Sequence, residues 1–174
     1  MFFKKKCSSC GRANPRNAKT CVSCGASFEL KHAESRVENP EATKDYDEAI
    51  SLNPQSAEAY YERGLEYQKQ GQEERAIEDF DKAIRIDPEF AKAYRNRGYA
   101  YLNTKQYDLA IADNTRATKF DPNDPVARLN LGVAYKLQGN KAEAIANFEK
   151  VINLSDNPQV VEMAKQEIKE LSKW

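Results

Sequence analysis

The 174-residue sequence has few of the groups with which enzymes do chemistry, and it has no long apolar run. It contains one histidine, His32, and all four cysteines lie within residues 7–24. No apolar stretch approaches the roughly 18 residues that a membrane-spanning helix needs. No glycine-rich loop that could cradle a phosphate is present, and the acidic residues have the spacing of solvated helix faces. We therefore expect a protein that is neither an enzyme nor a membrane-spanning chain.

The charge is balanced in total but not along the chain. There are 27 basic and 27 acidic residues, yet residues 1–36 hold eight lysines and arginines against Glu29 and Glu34. This segment is +6 and the remainder is −6. Phe2 and Phe3 precede three lysines, a start that is far too short for a signal peptide. We expect a cytoplasmic protein in which a small basic module precedes a larger domain.

The four cysteines form two Cys-x-x-Cys-Gly motifs, at residues 7–11 and 21–25. The two-residue spacer lets a pair of thiolates face one point, and the glycine can adopt the positive φ that turns the backbone toward a metal. Two such pairs complete a tetrahedron that leaves no position for a substrate. We predict that one structural zinc ion is bound by Cys7, Cys10, Cys21 and Cys24.

Two other uses of the cysteines remain open. Two disulfides would also pair them, although a reducing compartment disfavours disulfides. A redox dithiol would need only one pair, and no βαβ pattern surrounds either motif. The motifs resemble a short zinc ribbon over residues 6–28, which places a zinc module at residues 1–28. A polar linker that contains His32 follows at residues 29–39.

The larger part of the chain repeats itself every 34 residues. Small, aromatic and turn residues recur in register: Gly64, Gly98 and Gly132; Tyr67, Tyr101 and Tyr135; Ala76, Ala110 and Ala144; Pro54, Pro88 and Pro122. Within the first unit, apolar residues at intervals of three and four predict helices over residues 57–70 and 73–86, separated by Gly71. Gly64 and Ala76 remove bulk where the two helices cross, so we expect the backbones to approach closely there.

This spacing resembles that of the tetratricopeptide repeat (TPR) family. The resemblance implies an all-α solenoid of helical hairpins with repeats at residues 57–90, 91–124 and 125–158. The sequence departs from the family at Arg63 and Arg97, where leucine is usual. Asn114 stands where the other units have phenylalanine, so we expect the second helix of that unit to be the least well packed.

Further helices flank the three repeats and complete a solenoid domain at residues 40–174. Residues 40–53 match the second helix of a repeat and form an orphan helix. Residues 158–173 have one apolar stripe, and we predict a helix that caps the last repeat rather than one that binds a membrane or a partner. The prediction is therefore eight helices.

The family resemblance implies protein recognition through a concave surface lined by the first helix of each repeat. The implied lining residues are Tyr61, Leu65, Lys69, Lys92, Arg95, Asn96, Tyr99, Leu102, Val126, Leu129, Asn130, Val133, Lys136 and Leu137. In the third unit, the valines and leucines of this set form an apolar stripe with no obvious internal partner, unless the last helix covers part of it. We expect an adaptor that binds a peptide or helix of another protein.

The charges along this surface predict the chemistry of the ligand. Four of these residues are basic, and two further lining positions in the first unit are Glu58 and Glu62, which leaves a charge of +2. The ligand should therefore be partly acidic with large apolar anchors. The family's carboxylate-clamp variety, which holds chaperone tails, is matched only at Asn96. We therefore expect an internal or helical segment as the ligand.

Two alternative functions remain. The basic charge of residues 1–36, with Phe2 and Phe3, permits a nucleic-acid-associated factor, since lysine and arginine contact phosphates and aromatic rings stack on bases. The exposed stripe and Trp174 permit a self-assembling protein or weak homo-oligomer. Salt-dependent retention on nucleic acid and the mass in solution distinguish these alternatives from the adaptor.

Overall fold

The computed structural model describes residues 41–173 in full and the backbone of residues 5–6 and 13–14. The chain divides into two compact units, Met1–Arg36 and Val37–Trp174. The predicted zinc ligands, the linker with His32, most of the proposed nucleic-acid surface and Trp174 lie outside the described residues. The functions assigned to them stay predictions.

The described part of the first unit is a short antiparallel ladder between β1 (Lys5–Lys6) and β2 (Ala13–Asn14). Lys5 pairs with Asn14, and Lys6 pairs with Ala13. The ladder joins the backbone on the two sides of the first Cys-x-x-Cys motif, which occupies residues 7–10. The sequence pattern alone does not predict these strands.

Residues 41–173 are all helix and turn, and the eight predicted helices are confirmed. The helices are α1 (Glu41–Leu52), α2 (Ala57–Lys69), α3 (Glu73–Ile86), α4 (Ala91–Asn103), α5 (Tyr107–Phe120), α6 (Pro125–Gln138), α7 (Lys141–Leu154) and α8 (Pro158–Leu171). Each helix packs against the next along the chain, which is the arrangement of a helical-hairpin solenoid. None of the helices in this described range has the length and apolarity needed to span a bilayer.

Side-chain caps begin several of the helices. The Ser56 hydroxyl accepts a hydrogen bond from the Ala59 amide at the start of α2. The Asp124 carboxylate accepts from the Val126 and Ala127 amides at the start of α6, at 2.8 and 3.1 Å. The Asn157 amide oxygen caps α8 in the same way, by accepting from the Gln159 amide. The loops between these hairpins therefore set where the next hairpin begins.

The glycines at the helix crossings are needed for close packing, as predicted. A methyl group added to Gly64 would lie 2.7 Å from the Phe80 ring, and one added to Gly132 would lie 2.5 Å from the Phe148 ring. Both rings are fully buried. Since such distances are shorter than van der Waals contact, any larger residue would push the helices of a pair apart.

Asn114 fills the equivalent position in the second unit, and it is not loosely packed. Its side chain is fully buried, donates a hydrogen bond to the Ala110 carbonyl at 2.8 Å, and accepts one from Asn130 at 3.2 Å. The loose packing expected at this point of α5 was therefore wrong. A hydrogen-bonded amide replaces the phenylalanine ring, because both polar ends of Asn114 find partners.

The two arginines that stand in place of leucine, Arg63 and Arg97, form ion pairs with aspartates on neighbouring helices. Arg63 pairs with Asp79 of α3, and Arg97 pairs with Asp113 of α5. These pairs tie the two helices of each hairpin together.

Candidate functional site

The first helices of successive hairpins, α2, α4 and α6, are neighbours, and all the predicted lining residues lie on them. Two side-chain hydrogen bonds join α2 to α4. Asn96 Nδ2 donates to the Tyr61 hydroxyl at 3.0 Å, and Gln68 Nε2 donates to the Asn96 carbonyl at 3.4 Å. We call the surface formed by the predicted lining residues the groove.

Tyr61 lies in the core rather than on the groove surface, which corrects its predicted role as a ligand contact. Only 5% of it is exposed, and its ring packs against Phe80 and Phe90 at centroid distances of 5.9 and 4.9 Å. Burial raises the pKa of the Tyr61 hydroxyl, which accepts the hydrogen bond from Asn96. Tyr61 therefore positions Asn96 and is not free to contact a ligand.

Asn130 is a second predicted lining residue that the structure buries. It is 6% exposed, and its Nδ2 donates to Asn114 Oδ1 of α5. Because its amide group bridges α6 to the preceding hairpin, it is a structural residue here. Leu65 and Leu102 are half-buried, and Leu65 packs against the buried cluster that includes Phe80 and Tyr94.

Arg95 is held by the protein itself. Its Nη1 donates to Asp124 Oδ2 at 2.9 Å, and the same aspartate caps α6 through its other carboxylate oxygen. Asp124 is 7% exposed, so this ion pair is shielded from solvent at one end. Arg95 consequently joins α4 to the start of α6, and its charge is already balanced.

The other basic lining residues are mostly paired as well. Lys69 lies 3.1 Å from Glu66, and Lys136 lies 2.5 Å from Glu167 and 3.8 Å from Glu170 on α8. Among the described residues, Lys92 alone of the four has no ion-pair partner, and it is exposed. The lining residues keep the predicted charge of +2, but Glu167 and Glu170 of α8 add −2 beside Lys136, so the local charge is balanced.

Helix α8 covers part of the apolar stripe on α6, the alternative left open by the sequence. Leu129 and Val133 pack against a cluster that includes Ala164 of α8. Val126 and Leu137, at the two ends of α6, stay exposed at 43% and 50%. Tyr99 on α4 is also exposed, at 44%. The groove thus retains three exposed apolar side chains.

Glu167 and Glu170 of α8 lie beside the groove, and the sequence pattern did not predict them there. It assigned α8 to capping alone and took no lining residue from it. The order of the helices could have predicted them. Since α2, α4 and α6 lie side by side, α8 is the next helix in that series and is expected beside α6. Their contacts with Lys136 follow from that placement.

Comparison with family models agrees with the hairpin repeats. A model described as Tetratricopeptide repeat matches residues 57–90 and 91–124, and another of that description matches residues 115–146. A model described as TPR repeat matches residues 38–71. No curated protein sequence matches the chain.

Solved TPR structures are similar to this chain over most of their own length. The TPR domain of Arabidopsis OM64 is 28% identical with a TM-score of 0.64, over 68% of this chain and 95% of that one. The second TPR domain of human RPAP3, in complex with the HSP70 peptide SGPTIEEVD, is 33% identical with a TM-score of 0.60, over 66% and 93%. The first TPR of Spaghetti (RPAP3), bound to the HSP90 peptide SRMEEVD, is 26% identical with a TM-score of 0.63, over 68% and 95%.

Proposed function

Since this chain belongs to the tetratricopeptide repeat family, we propose that it is a non-enzymatic adaptor whose groove binds a peptide or helix of another protein. Two of the similar structures hold chaperone peptides. In this chain, the observation that carries the proposal is the exposure of Tyr99, Val126 and Leu137 on neighbouring helices of the groove. Exposed apolar side chains rimmed by polar groups are typical of interaction sites.

The ligand that fits this groove brings apolar anchors and little net charge. Tyr99 is the aromatic residue among these three exposed side chains, and aromatic side chains contribute strongly at interfaces. Lys92 is exposed and has no ion-pair partner among the described residues, so a carboxylate of the ligand can pair with it. We therefore expect the ligand to make one acidic contact. Arg95 and Lys136 are already balanced by Asp124 and by the α8 glutamates.

An acidic chain terminus of the kind in those two complexes is a poor fit to this groove. A carboxylate clamp needs cations and an amide at the positions where Tyr61, Leu65, Val126 and Asn130 stand. Tyr61 and Asn130 are buried and bonded to neighbouring helices, so they do not offer a replacement. We therefore favour an internal or helical segment as the ligand.

Affinity capture with the full chain, followed by calorimetry on the purified partner, tests the proposal. Tyr99→Ala and Lys92→Glu should each weaken binding, whereas Leu52→Ala should not, because Leu52 is 80% exposed on α1, outside the groove helices. Equal affinity for all three variants, with unchanged helicity, would place the binding site on another surface.

We also propose that Cys7, Cys10, Cys21 and Cys24 hold one structural zinc ion in the first unit, within a reducing compartment such as the cytoplasm. The β1–β2 ladder supports this, because it joins the chain on the two sides of Cys7 and Cys10. Bound zinc would contribute folding free energy to the unit. Elemental analysis of the reduced protein should find one zinc per chain, and its absence would reject the proposal.

A further inference from the structure

The turn between α4 and α5 differs from the equivalent turns of the other two hairpins. Gly71 and Gly139 adopt positive φ angles of 68° and 84° in those turns. The residue in register with them is Lys105, which adopts a φ of 61°. This left-handed region favours glycine, so lysine adopts it here at a local conformational cost.

Three positions near this turn also differ from their equivalents in the other repeats, two on α5 and one on α6, and each becomes apolar. Tyr107 stands where Glu73 and Lys141 stand, Leu109 where Arg75 and Glu143 stand, and Leu137 where Lys69 and Asn103 stand. Glu73 and Asn103 are joined by a hydrogen bond of 2.7 Å. At the next junction, Tyr107 and Leu137 replace this polar pair.

Tyr107 and Leu109 face a depression of about 340 Å³ beside this turn. It is lined by Lys105, Gln106, Tyr107, Asp108, Leu109 and Gln138. Gln138 Nε2 donates to Asp108 Oδ1 at 2.5 Å, which fixes one wall. Leu109 in the lining is 46% exposed, and Leu137, which precedes the lining residue Gln138 in the chain, is 50% exposed, so apolar side chains are available for contact here.

This surface carries both a basic and an acidic side chain, so its charges can be complementary to those of a second copy. Lys105 is exposed and has no ion-pair partner among the described residues. Asp108 accepts from Gln138 through one carboxylate oxygen, which leaves the other for a second donor. A two-fold contact brings the same surface of two chains together, so a surface with one lysine and one aspartate can pair with its own copy.

We propose that a second copy of this chain docks on this surface, which we call the turn patch: Lys105, Tyr107, Asp108, Leu109 and Leu137. Lys105 of one chain pairs with Asp108 of the partner subunit. Tyr107, Leu109 and Leu137 of both chains are buried between the two subunits. This interface lies outside the function proposed for the groove, apart from Leu137, which borders both. The patch is small, so the dimer forms only at high protein concentration.

Sedimentation velocity of the full chain over a concentration series tests the proposal. The weight-average mass should rise from the monomer value of 19.8 kDa toward twice that value as the concentration increases. Leu109→Arg, which restores the residue type of the first hairpin, should abolish the rise. Leu52→Arg is the matched control, because it places the same charge at another exposed leucine, and it should leave the rise unchanged.

A charge exchange tests the pairing itself. Lys105→Glu places a carboxylate opposite Asp108 of the partner subunit and should weaken the dimer at least tenfold. The double variant Lys105→Glu/Asp108→Lys should recover most of that loss, and circular dichroism should show that each variant is folded. A monomer at every concentration, a dimer that survives Leu109→Arg, or no recovery in the folded double variant would overturn the proposal.

Discussion

Arg97 of α4 donates two hydrogen bonds to Asp113 of α5, at 2.7 and 2.8 Å. Its third donor reaches Asp81 of α3 at 2.8 Å, so one arginine joins the second helices of two successive hairpins. Burial is the largest influence and lowers the pKa of Arg97, but the hydrogen bond to Asp113 and the charges of the neighbouring acidic groups together raise the pKa above its ordinary value. The guanidinium also lies over the rings of Tyr94 and Tyr101.

The same arrangement occurs one repeat earlier and is absent one repeat later. Arg63 joins Asp79 of α3 to Asp47 of α1 at 2.7 Å each. In the third hairpin, Leu131 takes the place of the arginine, and the aspartates in register are replaced by Asn147 and Thr115. The three positions change together, which indicates that the arginine and its two acids act as one unit.

The first prediction compares the loss of one member of this unit with the exchange of all three. Arg97→Ala should lower the free energy of unfolding by about 2–4 kcal/mol, because it leaves the nearly buried Asp113 unpaired. Arg97→Leu/Asp113→Asn/Asp81→Thr copies the third hairpin and should cost about 1 kcal/mol or less. Urea denaturation measures both, and an equal cost would show that the ion pairs do not act together.

The sequence predicted the helices because small and aromatic residues recur at a 34-residue period that only a packed hairpin explains. The ion pairs of Arg63 and Arg97 were not predicted, because only small, aromatic, apolar and turn positions were compared between repeats. Asp79 and Asp113 recur at the same 34-residue interval. The repeat period could not predict that Tyr61 and Asn130 are buried. The register of a residue in the repeat predicts which face of its helix it occupies. How far its side chain is buried depends on how closely the next helix packs against that face.

The second prediction concerns the positive φ of Lys105. Lys105→Gly should raise the free energy of unfolding by about 0.5–1 kcal/mol, since glycine adopts this conformation without a Cβ clash but is more flexible when unfolded. Lys105→Ala is the control and should give no such gain, because alanine keeps the Cβ. Denaturation of dilute protein measures both, and a similar result for the two variants would contradict the argument.

The third prediction separates two basic residues of α4 that the sequence treats alike. Arg95→Glu places a carboxylate against Asp124, the cap of α6, and should lower the free energy of unfolding by about 1–3 kcal/mol. Lys92→Glu makes the same change of charge at an unpaired side chain and should stay within about 0.5 kcal/mol of the wild type. Thermal unfolding distinguishes them, and equal stability would show that the Arg95–Asp124 pair contributes nothing.

The fourth prediction concerns alkaline pH. Burial raises the pKa of the Tyr61 hydroxyl above its ordinary value of 10.0, so the folded chain keeps this proton when the unfolded chain has begun to lose it. The stability that comes from this difference is complete below the unfolded pKa and is lost as the pH rises through the folded pKa. Tyr61→Phe should therefore lose less stability than the wild type between about pH 9 and pH 11. Parallel pH curves in thermal unfolding would contradict this.

The last prediction is that zinc supports the first unit and not the helices. The solenoid has its own buried core, including Phe80 and Phe148, and the side-chain caps at Ser56 and Asp124 begin its hairpins without any metal. Thiolates preorganise little structure by themselves, so the free energy of metal binding should go to folding residues near the cysteines. Chelation of the reduced protein should therefore remove the zinc with little change in helical circular dichroism, and Cys7→Ser/Cys10→Ser should behave in the same way. A large loss of helicity on chelation would show that the metal also supports the solenoid.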